Sequence, residues 1–245
     1  MNTTLNIRTA FILGAGLGLR LRPLTEDCPK PLLPAGGRPL ITYAMEYLRR
    51  AGVERIIINT HHRPEAYRRA FPDGQWRGIP VVLRYEPVLL DTGGGLKNIE
   101  DLLCDDERLL VYNGKILTNL PLAPLIEDHA AGGAVVTLAL RSEGPLRNVD
   151  LDEGGKVCDL RHVLDKPGRR LCQFAGIYVA EKSFLERLEA GRVESVVEAW
   201  LRMIREGTGA VRGIVIDDGV WHNLGTAEEY ERICESIAAS PEEFP

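Results

Sequence analysis

No run in this sequence approaches the roughly twenty apolar residues that a membrane-spanning helix needs, so no transmembrane segment is expected. The nearest approach to a secretory leader, Arg8 followed by Thr9 to Leu19, is broken by glycines and meets Arg20 without a small-residue cleavage site. The expected location is therefore the cytoplasm. Cysteine is sparse: Cys28, Cys104, Cys158, Cys172 and Cys234 are odd in number, far apart and lack any CxxC or zinc-type spacing. That excludes a disulfide framework and reads as reduced thiols. Positive charge is not in excess either. With 30 basic against 35 acidic side chains the net charge is −5, so no general field attracts a polyanion and no nucleic-acid partner is expected. Repeats and low-complexity segments are absent as well.

What is present is an ordinary globular composition over 245 residues, 44% of them hydrophobic, enough to bury a substantial core. One stretch organises the chain. The apolar run Ala10-Phe11-Ile12-Leu13 ends in Gly14-Ala15-Gly16-Leu17-Gly18-Leu19-Arg20, which reads as a buried strand breaking into a loop whose backbone can approach a ligand closely. Arg20, Arg22 and, further on, Lys30 place fixed positive charge beside it. A glycine loop with such neighbours suits the oxygens of a nucleotide triphosphate. It is neither of two familiar phosphate loops. Leu19 stands where a dinucleotide fingerprint needs its last glycine, and Gly14 to Arg20 contains no lysine for a Walker loop.

The whole segment, Leu13 to Thr25, Pro29-Lys30-Pro31-Leu32-Leu33-Pro34 and Gly36 to Ile41, resembles the signature of the sugar-1-phosphate nucleotidyltransferases, or nucleotide-sugar pyrophosphorylases. Their usual pattern is close to LAAGxGxRLxPLTxxxPKPLxPVxGxPLI, and here Gly14 replaces the first alanine. The muramic acid 1-phosphate uridylyltransferase and mannose-1-phosphate guanylyltransferase types are the most similar. The resemblance implies an α/β fold with a Rossmann-like, mostly parallel sheet, helices on both faces and a smaller sugar-binding portion. It implies one domain over residues 1–245, with nucleotide bound by about 1–120 and sugar phosphate by about 121–245. Leu13, Gly14, Ala15, Gly16 and Gly18 would line the nucleotide, and Arg20 and Lys30 would hold its phosphates.

Further along, Leu40 to Arg50 has the period of an amphipathic helix, and the β-branched run Ile56-Ile57-Ile58 predicts a buried parallel strand over Glu54 to Thr60. His61 and His62 follow it without a third metal ligand at useful spacing and read as loop histidines. A strand over Val81 to Tyr85 leads to Asp91-Thr92-Gly93-Gly94-Gly95 and a helix expected from about Leu96 to Leu103. Adjacent glycines there predict something packed directly on the backbone. The stretch resembles the ETGGGI of the muramic acid 1-phosphate enzymes, which makes Thr92, Gly93, Gly94 and later Asn113 candidate nucleotide contacts and tilts the expected nucleotide toward UTP. Strands are expected at Arg108 to Tyr112, Ala134 to Arg141, Asn148 to Leu151, Lys156 to Arg161 and Val211 to Ile216. Helices are expected at about Leu122 to Ala131, Lys182 to Leu188 and Val193 to Arg205. Asp165-Lys166-Pro167 and Phe174-Ala175-Gly176-Ile177-Tyr178 resemble family segments that meet the sugar 1-phosphate. Lys166 and Gly176 are accordingly candidates for that role, with a solvated turn lysine the other reading of Lys166. Thr226 with Glu229 forms a capping box for a last helix reaching about Ala238.

The resemblance breaks at two places. The family has an aspartate after Asn113-Gly114 and another in WxDxGT, both ligands of magnesium, where this chain has Lys115 and Asn223. Mg²⁺ is expected from the family, yet a lysine cannot ligate a hard cation and an asparagine lacks the charge. Lost catalysis, an ammonium standing in for the metal's charge and an introduced substitution are the three readings of Lys115. Asp91, Asp217 and Asp218 are candidates for a displaced metal site. The expected partners are a nucleoside triphosphate and a sugar 1-phosphate, with no membrane partner and no oligomeric state indicated. The rival function is a nucleotide-binding pseudoenzyme or regulatory subunit.

Overall fold

The computed structural model describes residues 7–244. The chain runs through β1 (Thr9–Leu13), β2 (Pro34–Ala35), β3 (Arg38–Pro39), α1 (Ile41–Arg50), β4 (Arg55–Thr60), α2 (Pro64–Ala70), β5 (Gln75–Trp76), β6 (Ile79–Tyr85) and α3 (Asp91–Lys97). It continues with β7 (Arg108–Asn113), β8 (Ile116–Thr118), α4 (Ala123–Gly132), β9 (Val136–Arg141), β10 (Arg147–Leu151), β11 (Val157–Leu160) and β12 (Arg170–Glu181). Then follow α5 (Lys182–Leu185), α6 (Val196–Arg205), β13 (Val211–Val215), β14 (Trp221–Asn223) and α7 (Ala227–Ala239). These elements fall into two compact units interleaved along the sequence. One comprises Arg8–Leu89, Tyr112–Asn119 and the residues from Gly219 onward; the other comprises Leu90–Val111 and Leu120–Asp218.

In the first unit β1, β4 and β6 are parallel neighbours, with Ile12 opposite Ile58 and Ile58 opposite Leu83. The β-branched run explains this register. Phe11, Ile12, Ile56, Ile57 and Ile58 are fully buried, and each such side chain contributes about 1.5–3 kcal/mol relative to exposure. Such strands suit a sheet covered on both faces and confirm the α/β, Rossmann-like reading. A second core joins Leu21, Leu33, Leu40, Leu117 and Leu224 to Ile233 and Ile237 of α7. It ties the last helix to the segment that carries Lys30.

The second unit mixes directions. β9, β12, β10 and β11 pair antiparallel in succession, while β13 joins β9 in parallel. The helix expected at Leu96 to Leu103 instead begins at Asp91, and a separate 3₁₀ turn occupies Glu100–Leu102. The reason is tertiary: the amides of Gly93 and Gly94 donate to the carbonyl of Glu194 at 2.8 and 3.2 Å, which satisfies first-turn N–H groups that a helix leaves open. α6 correspondingly starts at Val196, three residues later than its apolar pattern suggests, capped by the Ser195 hydroxyl. The short strands β8 and β14 and the helix α2 leave no pattern long enough to be read from sequence.

Candidate active site

The glycine loop is held in place from beneath. Gly14 donates its amide to Asn59 Oδ1 at 2.7 Å, Asn59 donates from Nδ2 to Glu86 Oε1 at 2.7 Å, and the Tyr67 hydroxyl donates to the Gly14 carbonyl at 3.0 Å. Asn59, Tyr67 and Glu86 are all buried. Such buried polar groups are stable only because each is paired. The Gly14 amide therefore serves the frame of the loop. Gly18, with φ of 68°, turns the chain where an L side chain is strained, and its carbonyl accepts from the Thr25 hydroxyl at 2.8 Å. Between them Gly16 is exposed and has open space around it.

Beside this loop, the Lys30 ammonium donates to the Leu224 carbonyl at 3.0 Å. Leu224 in turn donates its amide to the Lys115 carbonyl at 2.6 Å. A Cβ on the next residue, Gly225, would lie 3.5 Å from a terminal nitrogen of Arg20. Arg20, Lys30 and Lys115 are thus all tied to one short segment, Lys115 through its main chain. Their mutual repulsion is visible in the Lys30 pKa, which burial, then Arg20, then Lys115 bring down from 10.5 to about 8, with Glu229 partly opposing. An anion placed there is attracted by all three.

Lys115 is positioned by Gly114, whose amide donates to the Leu13 carbonyl at 3.1 Å. A Cβ on Gly114 would sit 2.4 Å from that carbonyl oxygen. The antiparallel pairing of β8 with β14 sets Asn223 opposite Ile116. Asn223 donates from Nδ2 to both carboxylate oxygens of Glu229, at 3.2 and 3.0 Å, an orientation the carboxylate imposes because the amide oxygen would be repelled. Glu229 also accepts from the amides of Gly225 at 2.5 Å and Thr226 at 3.0 Å, and the capping box expected at the start of α7 is formed. Replacing Thr226 by alanine is expected to cost about 1 kcal/mol. Urea unfolding of the Thr226→Ala variant checks this, and an unchanged midpoint would remove the cap from the account.

The magnesium site that the resemblance implies is not matched by this donor set. Lys115 offers no oxygen from its side chain, the Asn223 amide nitrogen faces Glu229, and Glu229 is engaged by three donors. No group of three or more His, Cys, Asp or Glu able to hold a metal occurs among the described residues. The displaced set of Asp91, Asp217 and Asp218 is therefore not formed. Asp217 accepts from the Ser142 amide and hydroxyl at 2.9 and 2.7 Å, and Asp91 from the Thr92 amide at 2.6 Å. His61 bonds the Glu86 carbonyl and His62 the Thr25 carbonyl, both at 2.8 Å, in keeping with loop histidines.

The remaining candidates lie in the second unit. Thr92 accepts from the Val196 amide at 2.9 Å, and the packing foreseen on Gly93 and Gly94 comes from the chain itself, residues 192–196. Lys166 is exposed on a loop whose amides at Leu160, Val163, Leu164 and Lys166 all donate to Asp159. Gly176, with φ of 85°, is buried where β12 shifts register against β9. Asn113 is half-buried at the end of β7. Sequence reasoning missed Asn59, Tyr67 and Glu86, and it named Gly114 only within the Asn113-Gly114-Lys115 stretch, without its contact to Leu13. Asn59 alone left a signal, as a polar residue closing the run Ile56-Ile57-Ile58.

A parallel sheet whose first strand ends in a glycine loop with cations beside it defines an α/β architecture with a candidate anion site at the strand ends. The nucleotidyl transferase family model matches residues 9–240, and the chain belongs to that family. It is 34% identical over 240 residues to a mannose-1-phosphate guanylyltransferase of Mycobacterium tuberculosis, covering 95% of this chain and 66% of that protein. It is 28% identical over 202 residues to a UTP–glucose-1-phosphate uridylyltransferase of Synechocystis sp., covering 75% of this chain and 51% of the relative. The chain thus spans between about half and two-thirds of the length of these curated relatives. Among solved structures, a UDP-glucose pyrophosphorylase of Acinetobacter baumanii shares the fold, with a TM-score of 0.77 at 16% identity over 97% of this chain and 95% of that one. No helix among the described residues is long and apolar enough to cross a membrane.

Proposed function

We propose that this chain transfers a nucleotidyl group from a nucleoside triphosphate to a sugar 1-phosphate, releasing pyrophosphate. The observation that carries this reading is the convergence of Arg20, Lys30 and Lys115 on the Leu224–Gly225 segment beside the glycine loop. A phosphate oxygen of the sugar phosphate attacks the α-phosphorus in line. One P–O bond forms there, the bond to the bridging oxygen of the β-phosphate breaks, and pyrophosphate leaves with that electron pair. Arg20 and Lys30 hold the triphosphate and stabilise the charge that grows on the leaving group, while the open face at Gly16 admits the nucleotide backbone. No covalent enzyme intermediate is needed. Lys166 is assigned the sugar phosphate and Gly176 the sugar side, supported by their order in the family pattern and by the exposure of Lys166.

A chain that binds nucleotide but cannot turn over is not favoured, because the frame beneath the loop and the cation cluster are both intact. The tilt toward UTP drew on Asp91 to Gly95, whose Gly93 and Gly94 amides are occupied by Glu194. GTP therefore stands beside UTP, given the guanylyltransferase relative. The test is pyrophosphate release from the four nucleoside triphosphates paired with mannose and glucose 1-phosphates. One preferred pair is expected, and silence from every pair, with no nucleotide binding by calorimetry, would overturn the reading.

A further inference from the structure

We propose that the site built on Gly14–Gly18 holds its nucleotide polyphosphate without a divalent cation, the Lys115 ammonium supplying charge where the resembling family carries a metal-binding aspartate. The inference rests on the nucleotidyl-transfer reading above and specifies how that site handles charge. A dication between two aspartates brings a local sum of zero, whereas Lys115 with Asn223 brings one net positive charge with no metal at all. The metal-free site is thus already more positive than a loaded aspartate pair. Adding a dication would raise the sum to three positive charges with no carboxylate from either position to hold it.

Local geometry agrees with this count. Lys115 stands at the foot of β8, fixed through its carbonyl to Leu224, the same residue whose own carbonyl receives Lys30. Asn223, instead of presenting a negative charge to a cation, is turned to donate to Glu229. Glu229 therefore has three hydrogen-bond partners from the protein. An aspartate at position 223 would face that carboxylate and repel it, and such a pair is stable chiefly when a cation lies between. The exchange of both acidic positions for an ammonium and an amide turns a metal-binding arrangement into one that carries its own counter-charge.

The experiment is calorimetric titration of the full chain with GTP and with UTP, once in excess EDTA and once in excess magnesium. The binding nucleotide is expected to show the same affinity in both buffers within about threefold, or to bind more tightly with EDTA. Magnesium strengthening the binding by more than about threefold would overturn the proposal. In Lys115→Asp, verified as folded by thermal unfolding, affinity in EDTA is expected to fall by at least about tenfold and to be recovered by magnesium. Lys115→Gln, which offers neither ammonium nor carboxylate, should lose affinity in EDTA without that recovery. A Lys115→Gln chain binding as tightly as the native one in EDTA would equally overturn it. If the native chain binds neither nucleotide in either buffer, the nucleotidyl-transfer reading fails and this inference with it; dependence on magnesium defeats only the inference.

Discussion

Replacing Lys30 by methionine is expected to lower nucleotidyl transfer by about 10²–10³-fold, the usual effect of removing one preorganised donor from developing negative charge. Methionine matches the length of the apolar stem and keeps the packing, so thermal unfolding should move little. The lost hydrogen bond to Leu224 is offset by relief of the repulsion among Lys30, Arg20 and Lys115. The pH profile provides an independent reading. Lys30 titrates near 8, below its ordinary 10.5, and only its charged form attracts phosphate. The profile of kcat/KM, which reports the free enzyme, should therefore fall above about pH 8. In the profile of kcat the break should lie higher, because bound phosphates favour the ammonium. Lys30→Arg keeps the charge at all accessible pH and should abolish the alkaline fall even where its rate is lower. Stability runs in the opposite sense. Because the unfolded chain holds this proton more tightly, the penalty for a charged Lys30 is present below about pH 8 and disappears as pH rises toward 10.5. A Lys30→Met enzyme with native turnover would remove this residue from the chemistry.

Gly114→Ala is expected to destabilise the fold by about 1–3 kcal/mol, the range for forcing a methyl group into occupied space. The obstacle is backbone: the added carbon would lie 2.4 Å from the Leu13 carbonyl oxygen and 3.4 Å from the Ile12 side chain. Neither strand end can yield without breaking the hydrogen bond between Gly114 and Leu13. At about 2–4 °C per kcal/mol for a chain of this size, the drop in melting temperature is readily measured. Activity should fall with it, since Asn113 and Lys115 flank the displaced residue. Gly16→Ala is the matched control. Nothing lies within 4 Å of the carbon it would add, so stability should hold while nucleotide binding weakens. Equal melting temperatures for native protein and Gly114→Ala would show that the contact is looser than described.

The parallel strands β1 and β4 and the helix α1 were legible because a β-branched run and a 3.6-residue apolar period each have one plain physical solution. The cap of α7 was legible for the same reason, as Thr226 and Glu229 satisfy each other's backbone without help from elsewhere. Where sequence reasoning fell short, the cause is distance along the chain. α3 begins five residues early because Glu194 supplies acceptors that no local pattern announces. Arg20, Lys30, Lys115 and Asn223 were each identified from motifs, yet only folding shows that the first three converge on one segment and that Asn223 is turned toward Glu229. Asn59 and Glu86, which support the loop, have no signature of their own beyond a polar residue ending an apolar strand.

The contact between Lys30 and Leu224 joins residues 194 positions apart, and it bears on how the protein comes into being. During synthesis the glycine loop, β4 and β6 emerge early and can begin to pair, but the carbonyl that receives Lys30 is still untranslated. Until then Arg20, Lys30 and, once it is made, Lys115 lack the strand β14 and helix α7 that complete their surroundings. Closing so long a loop is among the slower steps available to a folding chain. The bond that receives Lys30 is consequently among the last to form, once the segment around Leu224 can dock.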